Sequence, residues 1–231
     1  MEKLLVANYK MNGDKNFYIA VQKVINKIKV KDTKIVLCPP FVYMPFFKIK
    51  NKNLYLGSQD VSNVLNKQST GQTSPKMLKE FGVSYTLIGH SERRALGETD
   101  SIVADKVKLA QEYDILPIVC VGEIDKTASL DVLINQVKMA LSKAENKEII
   151  FAYEPLWAIG SGEKPTVERI NEAIDLIKNT ANELNFSVPV LYGGSVNAEN
   201  YKEIETSKAN GLLMGGVSLK INDFVKILKG E

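Results

Sequence analysis

The sequence predicts an α/β fold, a closed (β/α)8 barrel in which eight parallel strands are surrounded by outer helices. Three observations predict it. Eight short apolar runs recur along the chain, amphipathic segments lie between them, and the step from one run to the next averages about 30 residues, the size of one βαβ unit. With 231 residues, the chain has a length at which such a barrel forms one domain, here residues 1–231. The pattern alone leaves an open doubly wound sheet as an alternative.

Several of the predicted strands are apolar at nearly every position. This is typical of parallel strands that are buried on both faces, whereas a half-exposed antiparallel sheet would show strict alternation. The eight runs are Leu4–Ala7, Ile35–Cys38, Leu54–Gly57, Tyr85–Ile88, Leu116–Val121, Ile149–Tyr153, Val188–Tyr192 and Gly211–Met214.

The predicted helices carry apolar residues at three- and four-residue spacing, so each has one buried stripe. Ser74 followed by Pro75 is a helix start, with an N-cap before a first-turn proline. Asp100 likewise leads a helix that runs toward Tyr113. The clearest stripes are Phe17, Val21, Val24, Ile25 and Ile28 in one helix, and Ile170, Ile174, Ile177 and Leu184 in another.

Composition and charge exclude several classes of function. The chain has 30 Lys and Arg against 27 Asp and Glu, a net charge of +3, and its lysines are spread out, which argues against a dedicated nucleic-acid or membrane surface. Cys38 and Cys120 end apolar runs and are predicted to be buried free thiols. With one histidine in the chain, no zinc-type ligand set is available, so we expect no bound metal. The first residues lack a signal-peptide apolar run, and we expect a cytoplasmic protein.

Polar and glycine-rich residues follow many of the predicted strands. Because the carboxyl ends of barrel strands meet at one rim, these residues are expected to build one site. They are Asn8 and Lys10 after strand one, His90 and Glu92 after strand four, Glu154 after strand six, Gly193, Gly194 and Ser195 after strand seven, and Gly215 and Gly216 after strand eight.

Two of these residues are candidates for acid–base chemistry. Glu154 ends an apolar strand, where desolvation favours the neutral acid and so makes the carboxylate a stronger base. His90 is the one histidine in the chain. The charged run that follows it in the sequence can start a short helix, whose dipole would keep the ring neutral. Each also has a purely structural interpretation: a glutamate paired with a Lys or Arg, and a histidine that serves packing.

Lys10 and the two glycine pairs are candidates for binding an anion. In an extended segment Asn8 and Lys10 would project to the same side, which places a fixed charge near the site. Glycine pairs let backbone N–H groups approach a phosphate, and each is followed by a segment able to start a helix, at Val196 and at Val217.

The apolar loop that follows Glu154, residues 155–166, is interpreted as a lid. Leu156, Trp157 and Ile159 would be costly to expose permanently, and a segment that folds over the site and excludes water explains them. An ordinary loop packed on the barrel rim is the alternative.

Five motifs in the chain resemble the signatures of the triosephosphate isomerase family. They occur in family order from residue 8 to residue 220 and cover essentially the whole chain. The motifs are Asn8-x-Lys10, the run from Ile88 to Arg94, the run from Ala152 to Gly160, the run from Tyr192 to Ser195, and the run from Gly215 to Lys220.

The resemblance implies a cofactor-independent isomerase that interconverts dihydroxyacetone phosphate and D-glyceraldehyde 3-phosphate. In this family a glutamate base acts together with a neutral histidine. The resemblance thus implies Glu154 as the base and His90 as the electrophile. Lys10 and Asn8 would stabilise the enediolate, with Glu92 as a supporting carboxylate. The phosphate would be bound by Asn8, Lys10, Gly160, Ser195, Gly215 and Gly216.

The resemblance also implies a homodimer and marks two departures from the family pattern. Residues 67–75 resemble a loop that reaches into the partner subunit, with Thr70, Gly71 and Gln72 at its centre. Neutral Gln72 stands where the family usually has a glutamate that pairs with an arginine like Arg93 of the other subunit, which predicts a weaker contact. Pro165 stands in the lid's second hinge, where its fixed φ affects closure.

Two other functions are weighed against this one. An epimerase or aldolase on the same fold would need a metal-ligand set or a Schiff-base lysine on a strand, and neither is evident. A catalytically inactive barrel acting as a scaffold would be indicated by loss of Glu154, His90 or Lys10, and all three are present.

Overall fold

In the computed structural model, which describes residues 2–66, 68–159 and 163–231, the strands form a closed parallel barrel in the order β1 to β8. The first and last strands pair directly, Leu4 with Gly211 through Ala7 with Met214. The predicted closed barrel is therefore confirmed over the open sheet. The strands are β1 Lys3–Asn8, β2 Thr33–Cys38, β3 Leu54–Ser58, β4 Val83–Ile88, β5 Leu116–Val121, β6 Ile150–Tyr153, β7 Val190–Tyr192 and β8 Gly211–Met214.

Helices pack outside the barrel. The stretch between β2 and β3 holds a 3₁₀ helix, Phe41–Phe46, where the other connections carry α-helices. Further 3₁₀ turns are Leu156–Ala158 and Gly216–Leu219. The α-helices are α1 Lys15–Ile25, α2 Pro75–Glu80, α3 Ser91–Ala95, α4 Asp100–Glu112, α5 Asp131–Leu141, α6 Val167–Glu183, α7 Tyr201–Ile204 and α8 Ile221–Lys229.

Predicted strands agree with observed ones to within two residues. The starts of β2, β4 and β7 each differ by two residues, and β7 starts at Val190 and not at Val188. Pro189 lies between these two residues and has no N–H to donate to the sheet ladder, so the regular strand begins after it.

The helix stripes are confirmed in part. Ile170, Ile174 and Ile177 are buried as predicted, but Leu184 is 38% exposed because it lies just past the end of α6. In α1, Val24 is also 38% exposed, and Tyr18 is buried in its stead. At α4, the side chain of Thr99 caps the helix and Asp100 is its first residue, while Ser74 caps α2 as expected.

The core has two layers, since alternate strand residues point inward and outward. Inward side chains such as Val6, Leu87 and Ile118 fill the barrel interior, and outward ones such as Leu5 and Phe151 pack under the helices. Cys38 and Cys120 are buried free thiols in the interior, as predicted. Within the described ranges, no helix is both long and apolar enough to cross a membrane.

Candidate active site

The side chains that follow separate strands line one cavity at the carboxyl end of the barrel. The cavity has a volume of about 290 Å³. Asn8 is the last residue of β1, while His90 and Glu154 follow closely after β4 and β6. The remaining predicted members of this wall are Lys10, Ser195, Gly215 and Gly216, joined by Ile159, Gly193 and Gly194. Gly160 lies outside the described residues.

Glu154 is the most deeply buried acid of the cavity, with 2% of its surface exposed. Its Oε2 accepts a hydrogen bond from the backbone N–H of Ser91 at 3.2 Å, and its Oε1 lies 3.3 Å from Nε2 of His90. A Cβ on Gly193 would lie 2.9 Å from Cγ of Glu154. The glycine at position 193 therefore makes room for the carboxylate.

The protonation of His90 follows from its hydrogen bonds. His90 is the N-cap of α3, which confirms the predicted short helix, and its Nδ1 accepts from the backbone N–H of Glu92 at 3.2 Å. A nitrogen that accepts carries no proton, so the ring proton of the neutral imidazole sits on Nε2, the atom that faces Glu154. The Glu92 carboxylate lies 3.8 Å from Nδ1, beyond hydrogen-bond distance.

Lys10 reaches the cavity by a route that the sequence did not predict. The expectation that Asn8 and Lys10 lie in an extended segment and project to the same side of it is wrong, because Lys10 has a left-handed backbone with φ of 51°. Its N–H donates to Oδ1 of Asn8 at 3.0 Å, which closes a tight turn. From this turn its Nζ extends to Oε1 of Glu92 at 2.7 Å.

The loops after β7 and β8 complete the cavity with small residues. Ser195 donates from Oγ to the carbonyl oxygen of Ala158 at 2.7 Å, which ties this loop to the segment after Glu154. Gly216 starts the 3₁₀ turn after β8, as expected of a helical start there.

The predicted helix start at Val196 is wrong. Asn197 accepts at Oδ1 from the N–H groups of Glu199 and Asn200, and these side-chain bonds close a turn in place of a helix. The short helix α7 begins only at Tyr201.

Comparison with known proteins identifies the family. A model of the family "Triosephosphate isomerase" matches residues 3–231. The chain belongs to the triosephosphate isomerase family. It is similar to proteins named triosephosphate isomerase from Natranaerobius thermophilus (40% identity, covering 98% of this chain and 94% of the relative) and from Clostridium tetani (36%, covering 97% and 95%). It is also similar to one of the same name from Thermoanaerobacter pseudethanolicus (38%, covering 97% and 98%).

A polar cluster behind the lid segment went unrecognised in the sequence. Glu123 is 1% exposed, and its Oε1 accepts from the Tyr153 hydroxyl at 2.9 Å and from Nε1 of Trp157 at 3.0 Å. Arg169 lies 3.5 Å from the same oxygen. Burial, with Glu123 beside it, raises the pKa of Tyr153, so the hydroxyl stays a donor. The available signal was position, since Glu123 follows closely after β5 much as Glu154 follows β6.

The predicted dimer loop is exposed in the isolated chain. Thr70, Gly71 and Gln72 lie at the surface, and the N–H of Gln72 closes a turn on the carbonyl of Ser69 at 3.1 Å. Gly71 and Gln72 line a second cavity of about 270 Å³, which shares Asn8, Lys10 and His90 with the first and is also lined by Glu92.

Arg93, the arginine expected to meet the partner's loop, lines this second cavity as well. Its guanidinium lies 3.1 Å from Oδ2 of Asp60 in the same chain. Its charge is therefore already paired inside the subunit.

Proposed function

We propose that the chain is a triosephosphate isomerase that interconverts dihydroxyacetone phosphate and D-glyceraldehyde 3-phosphate through an enediolate, in glycolysis and gluconeogenesis. Family membership supports the reaction. The observation that carries the proposal is the pair of Glu154 Oε1 and His90 Nε2, 3.3 Å apart, facing one cavity that Lys10 also lines. No cofactor has a part in this chemistry.

Glu154 is the base. It removes a proton from the carbon next to the substrate carbonyl, the electron pair of the C–H bond forms the enediolate double bond, and the carbonyl oxygen takes the negative charge. The hydroxyl proton of the first carbon then moves to the former carbonyl oxygen. The carboxylic acid returns its proton to the neighbouring carbon, and the first carbon becomes the new carbonyl. Burial supports this role, because it keeps water away from the carboxylate where it meets the substrate carbon.

His90 is the electrophile. Its Nε2 carries the proton while Nδ1 accepts from the Glu92 amide, so the neutral ring donates to the carbonyl oxygen where charge develops. The ammonium of Lys10 and the amide of Asn8 stabilise the same charge. Glu92 pairs with Lys10 and supports its position.

The phosphate end of the substrate lies at the small residues of the loops after β7 and β8. Ser195, Gly215 and Gly216 offer backbone N–H groups without bulky side chains in front of them, together with the predicted Gly160. The lid segment stands beside them, and Ile159 lines the cavity. Closing this apolar residue over the intermediate would exclude water and suppress loss of phosphate from the enediolate.

The test is turnover of D-glyceraldehyde 3-phosphate by the purified chain, without added metal or cofactor and with a chelator present. Fast turnover that Glu154→Gln abolishes supports both the reaction and the base. A folded protein without turnover contradicts the proposal and favours the scaffold role or an altered substrate.

We further propose that residues 1–231 form one barrel domain that assembles as a cytoplasmic homodimer. The exposed loop of Thr70, Gly71 and Gln72 supports the dimer, as do exposed apolar side chains near it, including Val64, Leu65 and Met77. Because Gln72 carries no charge to pair with an arginine, we expect a weaker contact there. Sedimentation that shows a stable, fully active monomer would contradict the dimer.

A further inference from the structure

Gln59 contacts the backbone that carries Lys10. It is the first residue after β3, and its Nε2 donates to the carbonyl oxygen of Lys10 and to that of Cys38, at 2.9 Å in each case. One amide group thereby joins the segments that follow β1 and β3 to the end of β2. Nothing in the roles proposed above uses this side chain.

Lys10 depends on such contacts because its φ of 51° is in the left-handed region, where lysine is seldom found. Residues persist in this region only where their surroundings hold them. The peptide before Lys10 is held by Oδ1 of Asn8, which accepts its N–H at 3.0 Å. The peptide after it is held by Gln59, so the residue is fixed on both sides.

We propose that Gln59 is a positioning residue, which holds Lys10 in the left-handed turn and so sets the place of its ammonium group in the cavity. The inference rests on the proposed function, in which that charge stabilises the enediolate. Backbone φ decides where Cβ points, so a Lys10 that relaxes to an ordinary conformation carries its charge elsewhere. Displacing a positioned group by about 1 Å costs rate on the order of 10²-fold.

A double-mutant cycle tests whether Gln59 acts through Lys10. Gln59→Met keeps the length of the side chain and removes the donor. In the wild-type background we expect kcat/KM for D-glyceraldehyde 3-phosphate to fall on the order of 10- to 100-fold. In a Lys10→Met background we expect no further loss from the second substitution. An equal loss in both backgrounds, or full activity of Gln59→Met, overturns the proposal.

Two further variants separate positioning from folding. Gln111→Met is the matched control. Like Gln59, buried Gln111 donates from Nε2 to two carbonyl oxygens, those of Asn146 at 3.2 Å and Glu148 at 2.8 Å. Gln111 does not line the cavity. We expect it to lower Tm and leave kcat/KM unchanged. Gln59→Glu is nearly isosteric and is used if the methionine variant does not fold. We again expect a lower kcat/KM in the wild-type background and no further loss in the Lys10→Met background.

Glycerol 3-phosphate is a three-carbon phosphate that lacks a carbonyl. Its binding, measured by calorimetry, distinguishes failure of the positioning role from failure of the proposed function. Positioning is supported if Gln59→Met weakens binding in the wild-type background and causes no further loss of affinity in the Lys10→Met background. This holds even if the chain does not isomerise the aldehyde. A wild-type protein without turnover contradicts the proposed function alone. Unchanged affinity together with unchanged turnover overturns the positioning role.

Discussion

Replacing Glu154 with glutamine removes the basic oxygen and keeps the shape of the side chain. The amide oxygen can still accept from the Ser91 N–H, which lies 3.2 Å from Oε2 in the wild-type chain. The amide nitrogen then faces Nε2 of His90, 3.3 Å from Oε1 in the wild type. The substitution therefore leaves the cavity filled while no group there can take the proton from carbon.

The expected loss is almost entirely in kcat. A positioned general base contributes roughly 10²- to 10⁴-fold, which corresponds to about 3 to 5 kcal/mol of transition-state stabilisation. KM and the calorimetric affinity for glycerol 3-phosphate should change little, since the proposed phosphate contacts come from the loops after β7 and β8 and not from Glu154. The exchange of substrate hydrogen with heavy water, followed by NMR, should fall in the same proportion because it reports proton removal directly.

Glu172→Gln is the matched control. It makes the same chemical change on the exposed side of α6, where the carboxylate lies 3.4 Å from Arg169, and it should leave turnover unchanged. Turnover of Glu154→Gln within about threefold of wild type, against the expected hundredfold or more, would refute Glu154 as the base. So would a tenfold loss of glycerol 3-phosphate affinity that accounts for the lost rate, because the residue would then serve binding.

Three other perturbations follow from the same geometry. Lys10→Met should weaken glycerol 3-phosphate binding and lower turnover together, and normal affinity in a calorimetric titration would count against its charge role. Ile174→Ala leaves a cavity at a fully buried position of α6 and should lower the free energy of unfolding, measured in urea, by about 2 to 5 kcal/mol. Leu184→Ala at the exposed helix end should lower it by less than about 1 kcal/mol. Equal losses would be inconsistent with the observed buried stripe. Burial raises the pKa of Cys38 and of Cys120, so both thiols should resist a water-soluble disulfide reagent until the chain is unfolded. The unfolded thiols ionise near pH 8.5 and the folded ones do not, so this contribution to stability is full below about pH 8.5 and is lost as the pH rises above it. Urea unfolding that is no less favourable at about pH 7 than at about pH 10 would contradict this sign.

Much of the candidate site could be predicted because barrel strands deliver their carboxyl ends to one rim. Glu154, His90 and Ser195 each closely follow a strand that its apolar run reveals, so local sequence is enough to place them together. Lys10 was predicted for the right cavity by the wrong geometry. Its left-handed turn depends on Asn8 and on Gln59, and the latter lies 49 residues away.

Residues outside those positions were harder to recognise. Glu123 differs from an ordinary loop glutamate only because Tyr153 and Trp157 meet it in space. Gln59 has no motif around it, and its importance comes from two carbonyl oxygens on other segments.

Local sequence was enough to predict the eight strands, the starts of α2, α3 and α4, and the chemical types of the cavity, because apolar periodicity and capping act over a few residues. The tertiary structure decided barrel closure through the pairing of β1 with β8 and the tautomer of His90 through its contacts in the fold. It also decided the backbone of Lys10. These features depend on hydrogen bonds between segments that only folding brings together, so no local preference encodes them.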